Sequence, residues 1–255
     1  MYQFPSKYVP FFLTCLLAVI AISAGAQEKT EKSDARKNTI KLNLTNPMIF
    51  GGKAIVIGYE RVLSHNRSFS VDIGSMSLPS FGSGSVNDSV KLLPNANEKG
   101  FHISADYRFY LSKENKYPAP RGVYIGPYYS YNQFNRSNTW DLKATNYTGN
   151  VNTDIGFRVH TIGVEMGYQF VFNKKWVVDM VLAGPGMGFY KVNAALATTL
   201  PENQKGPFFD QLNNYLQEKI PGFNRVLGEG SLRSNGNFKT TALGFRYMVN
   251  VGFRF

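Results

Sequence analysis

The chain has 255 residues, of which 43% are hydrophobic, 15% aromatic and 18% charged, with 28 Lys and Arg against 17 Asp and Glu. That apolar content excludes a disordered chain, and the mixed residue usage excludes collagen-like and coiled-coil proteins. Past residue 26 no apolar run approaches the roughly 18 residues that a membrane-spanning helix needs, so any passage through a bilayer has to be made by strands.

Residues 1–26 read as a signal peptide. Lys7 precedes an apolar run from Val9 to Ser23, and Ala24-Gly25-Ala26 supplies the small-x-small pattern of a signal-peptidase site, with the cut expected before Gln27. Cys15, the only cysteine, leaves with that peptide, which removes disulfides, thiolate metal sites and thiol nucleophiles from the mature chain. Lys7 is the one charge lost, so the mature chain carries +10 against +11 for the whole. Residues 27–38, QEKTEKSDARKN, read as a flexible leader on the periplasmic side, and residues 39–255 as the folded domain.

From Thr39 onward the dominant pattern has period two, as strands with one apolar and one polar face do. Over 39–49, Ile40, Leu42 and Leu44 oppose Lys41, Asn43 and Thr45; over 53–63, Ile55, Ile57 and Tyr59 oppose Ala54, Gly58 and Glu60. In 68–78, Phe69, Val71 and Ile73 oppose Ser70, Asp72 and Gly74; in 100–111, Phe101 to Leu111 at odd positions oppose His102, Ser104, Asp106, Arg108 and Tyr110. Val123, Ile125, Tyr129 and Tyr131 oppose Tyr124, Gly126, Tyr128 and Ser130 in 121–134, and Ile162 to Phe172 oppose Thr161, Gly163, Glu165, Gly167 and Gln169 in 156–172. In 176–192, Trp176, Val178, Met180 and Leu182 oppose Val177, Asp179, Val181 and Ala183 before Gly184-Pro185-Gly186 signals a bulge. The last stretch is the clearest: Leu243, Phe245, Tyr247, Val249, Val251, Phe253 and Phe255 oppose Gly244, Arg246, Met248, Asn250, Gly252 and Arg254.

The polar face of these segments holds Gly, Ala, Ser and sparse charges of both signs rather than the Lys and Glu of a solvated sheet. The apolar face carries aromatic residues near segment ends, including Phe172, Trp176 and Phe253. Both features match a sheet whose large apolar face meets lipid. The connections at 64–67, 112–120 and 173–175 are shorter, and those at 79–99, 135–155 and 193–237 are long, as periplasmic turns and extracellular loops alternate; only the first outer connection, near Asn46 to Gly52, is short. Residues 207–220 carry an apolar stripe of Phe208, Phe209, Leu212, Leu216 and Ile220 at helical spacing, ended by Pro221-Gly222; such a helix lies on the outer leaflet, caps the mouth or binds a partner, and capping is preferred because it covers the stripe. The expected fold is all-β: an eight-stranded antiparallel up-and-down transmembrane β-barrel with a short helix in the last extracellular loop and both mature termini in the periplasm.

The export signal, the eight amphipathic segments and the terminal TALGFRYMVNVGFRF resemble small outer-membrane barrels of the OmpA and OmpX kind. NTIKLNLTNPMIFGGKAIVIGYERVL and SFSVDIG resemble the opening hairpin of uncharacterised outer-membrane barrels of the Bacteroidetes. The resemblance specifies architecture rather than activity. It implies that Tyr247, Val249, Val251, Phe253 and Phe255 form the terminal signal read by the barrel-assembly machinery during insertion.

An eight-stranded interior is filled by side chains. Lys41, Glu60, Asp72, Asp106, Arg108, Glu165, Asp179, Arg246 and Arg254 face it by parity and are expected to form an ion-pair network, with Asp72 paired to Arg108. For an enzyme the candidates are His65, His102 and His160, with Ser104 and Asp106 on the face of His102; steps of about 7 Å along one strand are too long for a direct triad. No catalytic, cofactor-binding or metal-ligating residue is assigned. Arg136, Arg158, Lys191, Lys205, Arg225 and Arg233 at strand ends and outer connections either meet anionic lipopolysaccharide or are simply solvated. Nucleic acid is not an expected partner; outer-membrane lipid is. The reading is a non-enzymatic outer-membrane barrel for envelope structure or surface interaction through its loops. The alternatives are a narrow channel or transport accessory, and a lipid-modifying enzyme.

Overall fold

The computed structural model describes residues 36–77, 85–87, 90–93, 97–144, 147–196 and 237–255, with Gly206, Phe208, Asp210, Gln211, Asn214 and Gln217. The predicted signal peptide and most of the predicted leader lie outside the described residues. Eight strands make one antiparallel sheet with a short helical segment: β1 (Asn38–Asn43), β2 (Val56–Ser64), β3 (Arg67–Ser75), β6 (Asn97–Tyr110), β7 (Gly122–Ala144), β8 (Tyr147–Phe172), β9 (Trp176–Leu196) and β10 (Asn237–Arg254). Two three-residue strands, β4 (Ser85–Asn87) and β5 (Val90–Leu92), form a hairpin that joins the side of β7. Each of the eight pairs with its neighbour in the chain. β1 also pairs with β10, Ile40 opposite Phe253, so every one has a partner on both sides.

Two boundaries differ from the sequence expectation. The first segment stops at Asn43, and Thr45–Phe50 form a single-turn helix, α1. Asn43 Oδ1 accepts the Asn46 N–H at 2.8 Å, Thr45 Oγ1 accepts the Val249 N–H at 2.8 Å, and Gly51 at φ +91° ends the turn, a conformation that glycine adopts without strain. The expected long connection at 135–155 is mostly strand, because β7 and β8 run on together to Ala144 and Tyr147. The bulge expected in β9 is present, directly before Gly184-Pro185-Gly186: Arg246 opposes Gly184 but Met248 opposes Val181. One extra residue there switches the buried parity of β9 from Val177, Asp179 and Val181 to Gly184, Gly188 and Val192. Most of the predicted helix 207–220 lies outside the described residues; the described positions from Gly206 to Gln217 have helical backbone.

The two faces of the sheet have unlike chemistry, and each changes character along the strands. For most of its length the exposed face is apolar, with Ile162 at 58%, Val164 at 57%, Phe245 at 64% and Leu243 at 84% exposure. The buried face behind it is polar and charged. Aromatic side chains gather at both margins of this band. Near the chain ends, Tyr59, Ile40, Phe253, Trp176 and Phe172 stand in register on five successive strands, Trp176 against Phe253 at 5.4 Å. At the other margin, Tyr131, His160 and Phe189 stand in register, and the Tyr129 hydroxyl lies 2.7 Å from His160 Nδ1. The twelve steps from His160 to Phe172 span about 40 Å along the strand.

Beyond the His160 row the polarity reverses. Asn135, Ser137, Asn150, Asn152, Asp154, Arg158, Lys191 and Lys239 occupy the exposed face, while Phe134, Trp140, Val151, Ile155, Phe157 and Val192 are buried. Phe208 from the helical segment is buried there too, its ring edge-on to Trp140 at 6.3 Å, and Trp140 Nε1–H donates to Thr153 Oγ1 at 2.7 Å. This end of the sheet has the polarity of a water-soluble protein.

Candidate functional site

The buried face places all nine singled-out charges on one side of the sheet. Eight of them converge. Arg108 on β6 is at the centre: its Nε meets Asp106, its NH1 lies 2.9 Å from Asp179 Oδ2 and 3.8 Å from Glu60 Oε1, and its NH2 is 3.7 Å from Glu165 Oε1. Lys41 on β1 joins from one side, 2.9 Å from Asp179 and 3.6 Å from Glu60. Arg246 on β10 joins from the other, 3.3 Å from Asp72, 3.4 Å from Glu165 and 4.0 Å from Asp106. Arg254, the ninth, sits at the strand end, where its guanidinium donates to the carbonyls of Arg36 at 2.7 Å and Lys174 at 3.5 Å.

Neutral donors complete the cluster. Glu60 accepts from Ser68 at 2.6 Å, Tyr110 at 3.0 Å and Gln169 Nε2 at 3.0 Å; Asp179 accepts from Tyr124 at 2.8 Å and Asn250 at 3.3 Å. The Arg108 guanidinium also lies 4.3 Å from the Tyr124 ring centroid. Gly167 leaves the room that this ring occupies, since a Cβ there would collide with Tyr124. Alternation placed Tyr110, Tyr124 and Gln169 on the polar face, but only the register shows which carboxylate each reaches.

The expected Asp72 to Arg108 pair does not form. Asp72 stands opposite Ser104, whereas Arg108 stands opposite Ser68, four residues or about 13 Å further along β3. Asp72 instead accepts from Ser104 at 3.1 Å and pairs with Arg246. The cluster thus holds five carboxylates, Glu60, Asp72, Asp106, Glu165 and Asp179, against Lys41, Arg108 and Arg246. Its loosest member is Glu165, whose two buried carboxylate oxygens face Arg108 NH2 and Arg246 NH1 without a hydrogen bond to either; Asp106 Oδ2 is likewise buried without one.

The histidines form no catalytic relay with the residues considered. His102 Nδ1 lies 2.6 Å from Asn132 Oδ1 while Ser104 donates to Asp72 and Asp106 serves Arg108. His160 is exposed among Tyr129 and Tyr131, and His65 lies in the exposed turn between β2 and β3. Among the described residues no group of three or more His, Cys, Asp and Glu is arranged to hold a metal ion. Arg136, expected at the surface, is buried and pairs with Glu98 at 3.1 Å, because it lies on the inner side of the β7 extension. Arg158 and Lys191 are exposed. Lys205, Arg225 and Arg233 lie outside the described residues.

A family model described as "Protein of unknown function (DUF3575)" matches residues 12–195. No curated protein matches the chain. Similar solved structures include a major outer membrane protein from Thermus thermophilus, at 12% identity over 87% of this chain and 100% of that one, with a TM-score of 0.36. Acinetobacter baumannii CarO is similar at 10% identity over 89% of this chain and 100% of that one, TM-score 0.38, and CarO2 at 10% over 86% and 98%, TM-score 0.38.

Proposed function

The chain belongs to the DUF3575 family of proteins of unknown function, and we propose that this member is a non-enzymatic β-barrel of the outer membrane of a Gram-negative bacterium, serving envelope structure or surface interaction. The observation that carries the reading is the double reversal of polarity: an exposed apolar band between two aromatic rows, backed by buried charge, gives way past His160 to exposed polar and buried apolar residues. In water, exposed Leu243, Phe245, Ile162 and Val164 would form an apolar patch far beyond what a soluble monomer carries. In a bilayer the same band is solvated by lipid, and at a strand tilt of about 40° its 40 Å of strand covers about 30 Å of depth, close to the apolar height of such barrels with their girdles.

In this reading the eight strands close through β1 and β10, the chain ends lie in the periplasm, and residues 1–26 are removed on export. Tyr247, Val249, Val251, Phe253 and Phe255 present the assembly signal. The β7–β8 extension, with the packed Phe208 and Trp140, stands outside the membrane and is the working surface. The charged cluster is structural: it plugs the interior and ties strands that are not neighbours in the sheet, Lys41 on β1 to Asp179 on β9 and Glu60 on β2 to Gln169 on β8.

The test is to express the full chain, fractionate the envelope, and run the purified protein unboiled and boiled on gels. Folded barrel is expected in the outer membrane, migrating faster unboiled, and without steady conductance in planar bilayers. A chain that is monomeric and folded in plain buffer would overturn the membrane reading, and a stable single-channel conductance would overturn the plug in favour of a narrow channel.

A further inference from the structure

Arg158, Lys191 and Lys239 are direct partners on three successive strands, β8, β9 and β10, and all three are exposed on the same face. Adjacent Cβ atoms in such a row are about 5 Å apart, and like charges set directly opposite destabilise a sheet. No ion pair with a described residue relieves them; the nearest acid on that face of β8 is Asp154, four residues or about 13 Å away, and it accepts from Ser137 at 2.6 Å. On the other side of Arg158 stands Gln133, a neutral hydrogen-bonding residue in register on β7.

The position of the row is as telling as its charge. One step below it are His160, Phe189 and Thr241; the next step is Ile162, Met187 and Leu243. The three cations therefore lie directly above the aromatic margin of the apolar band, at the depth where lipid headgroups carry their phosphates. Two interstrand spacings give the row a width of about 10 Å, which suits a compact phosphorylated headgroup. The members divide the work: the Arg158 guanidinium offers a planar fork for two phosphate oxygens, and the two ammonium groups offer mobile point charges.

We propose that Arg158, Lys191 and Lys239 form a binding site for the phosphate of an anionic glycolipid in the outer leaflet. This rests on the outer-membrane reading above and adds to it a defined lipid contact. Bound phosphate removes the mutual repulsion of the row, so the site couples lipid capture to stability of the β8–β9–β10 wall.

The test uses the mature chain folded in neutral phosphatidylcholine vesicles doped with bis-phosphorylated lipid A, with retained lipid counted by native mass spectrometry after detergent extraction. The wild type is expected to retain phosphorylated lipid A but not its dephosphorylated form. Each charge near an anionic surface contributes about fivefold in affinity, so Arg158→Gln/Lys191→Gln/Lys239→Gln should weaken retention about a hundredfold and Lys191→Gln alone about fivefold. A matched variant, Lys37→Gln/Lys113→Gln/Lys175→Gln, removes as many exposed charges elsewhere and should retain lipid like the wild type. Should the triple variant fail to fold, the single variant decides. Equal retention by the row variants, equal retention of dephosphorylated lipid, or displacement by millimolar inorganic phosphate would each overturn the site while leaving the barrel reading intact. A wild type that does not fold into vesicles would overturn both, and heat-modifiable migration separates that outcome from the others.

Discussion

Removing Arg108 should do more harm than removing any carboxylate it touches, and removing Glu165 should do little or none. Arg108 is fully buried, and Asp106, Asp179, Glu60 and Glu165 all lie within 4 Å of its guanidinium nitrogens. At an effective dielectric constant near 20 each such contact has a gross attraction of about 4 kcal/mol or more, most of which is offset by the cost of desolvating the guanidinium. Arg108→Met recovers that desolvation but strands four desolvated carboxylates in a cluster already short of cations. Breaking one buried pair costs about 3 to 5 kcal/mol, so this loss should lie at or above the top of that range. Glu165→Gln has the opposite logic: it removes an acid that lies 3.4 Å from Arg246 and 3.7 Å from Arg108 without a hydrogen bond to either, and it narrows the excess from five against three to four against three. The expected change is within about 1 kcal/mol of zero or stabilising, as when a poorly compensated buried charge is replaced. Urea unfolding of each variant in lipid vesicles, followed by the fluorescence of Trp140 and Trp176, measures both. If Glu165→Gln destabilises as much as Arg108→Met, the charge accounting of the cluster is wrong.

In a double-mutant cycle, Asp72 and Arg246, in direct contact, should couple by about 1.5 to 3 kcal/mol, whereas Asp72 and Arg108, linked only through Arg246 and Asp106, should couple by less than half of that. On β8, Val164→Arg should cost about 2 to 4 kcal/mol in vesicles, while Asn150→Arg, on the same exposed face past the polarity reversal, should change stability by less than about 0.5 kcal/mol; equal effects would contradict a lipid boundary between them. Mass-spectrometric sequencing of the protein from outer membranes should give Gln27 as the first residue, and an intact Met1 to Ala26 would contradict export by signal-peptidase cleavage.

Strand placement was legible wherever alternation kept one phase. From Leu243 on β10 to Phe255 just past its end the odd positions face out without interruption, and in β6 the even positions from His102 to Tyr110 face in. The β7–β8 extension is not legible in the sequence because the phase inverts. Up to Tyr131 the odd residues of β7 are the apolar ones, but beyond it the even residues Phe134 and Trp140 are, set among Asn and Ser that read as a loop. The backbone continues as strand while the solvent outside it changes, and a scan that assumes one environment reads that change as an end. Helix α1 was hidden for a different reason: Leu42 and Leu44 prolong the alternation, and the turn depends on Asn43 and Thr45 side chains bonding to backbone that the pattern does not reveal. Parity names the charged residues of the cluster, but pairing depends on register, which sets Asp72 beside Arg246 rather than the expected Arg108.

If one band of the exposed face lies in lipid and the next in water, labels placed along β8 should report the boundary between them. The mature chain should lack cysteine, since the only one is Cys15 in the predicted signal peptide, so single cysteines at Asn150, Asp154, Ile162, Val164 and Met166 can each carry a bimane label in vesicles containing brominated phosphatidylcholine. Quenching should be strong at residues 162, 164 and 166 and absent at 150 and 154. A flat profile across the five positions, or quenching that is strongest at 150 and 154, would contradict the account.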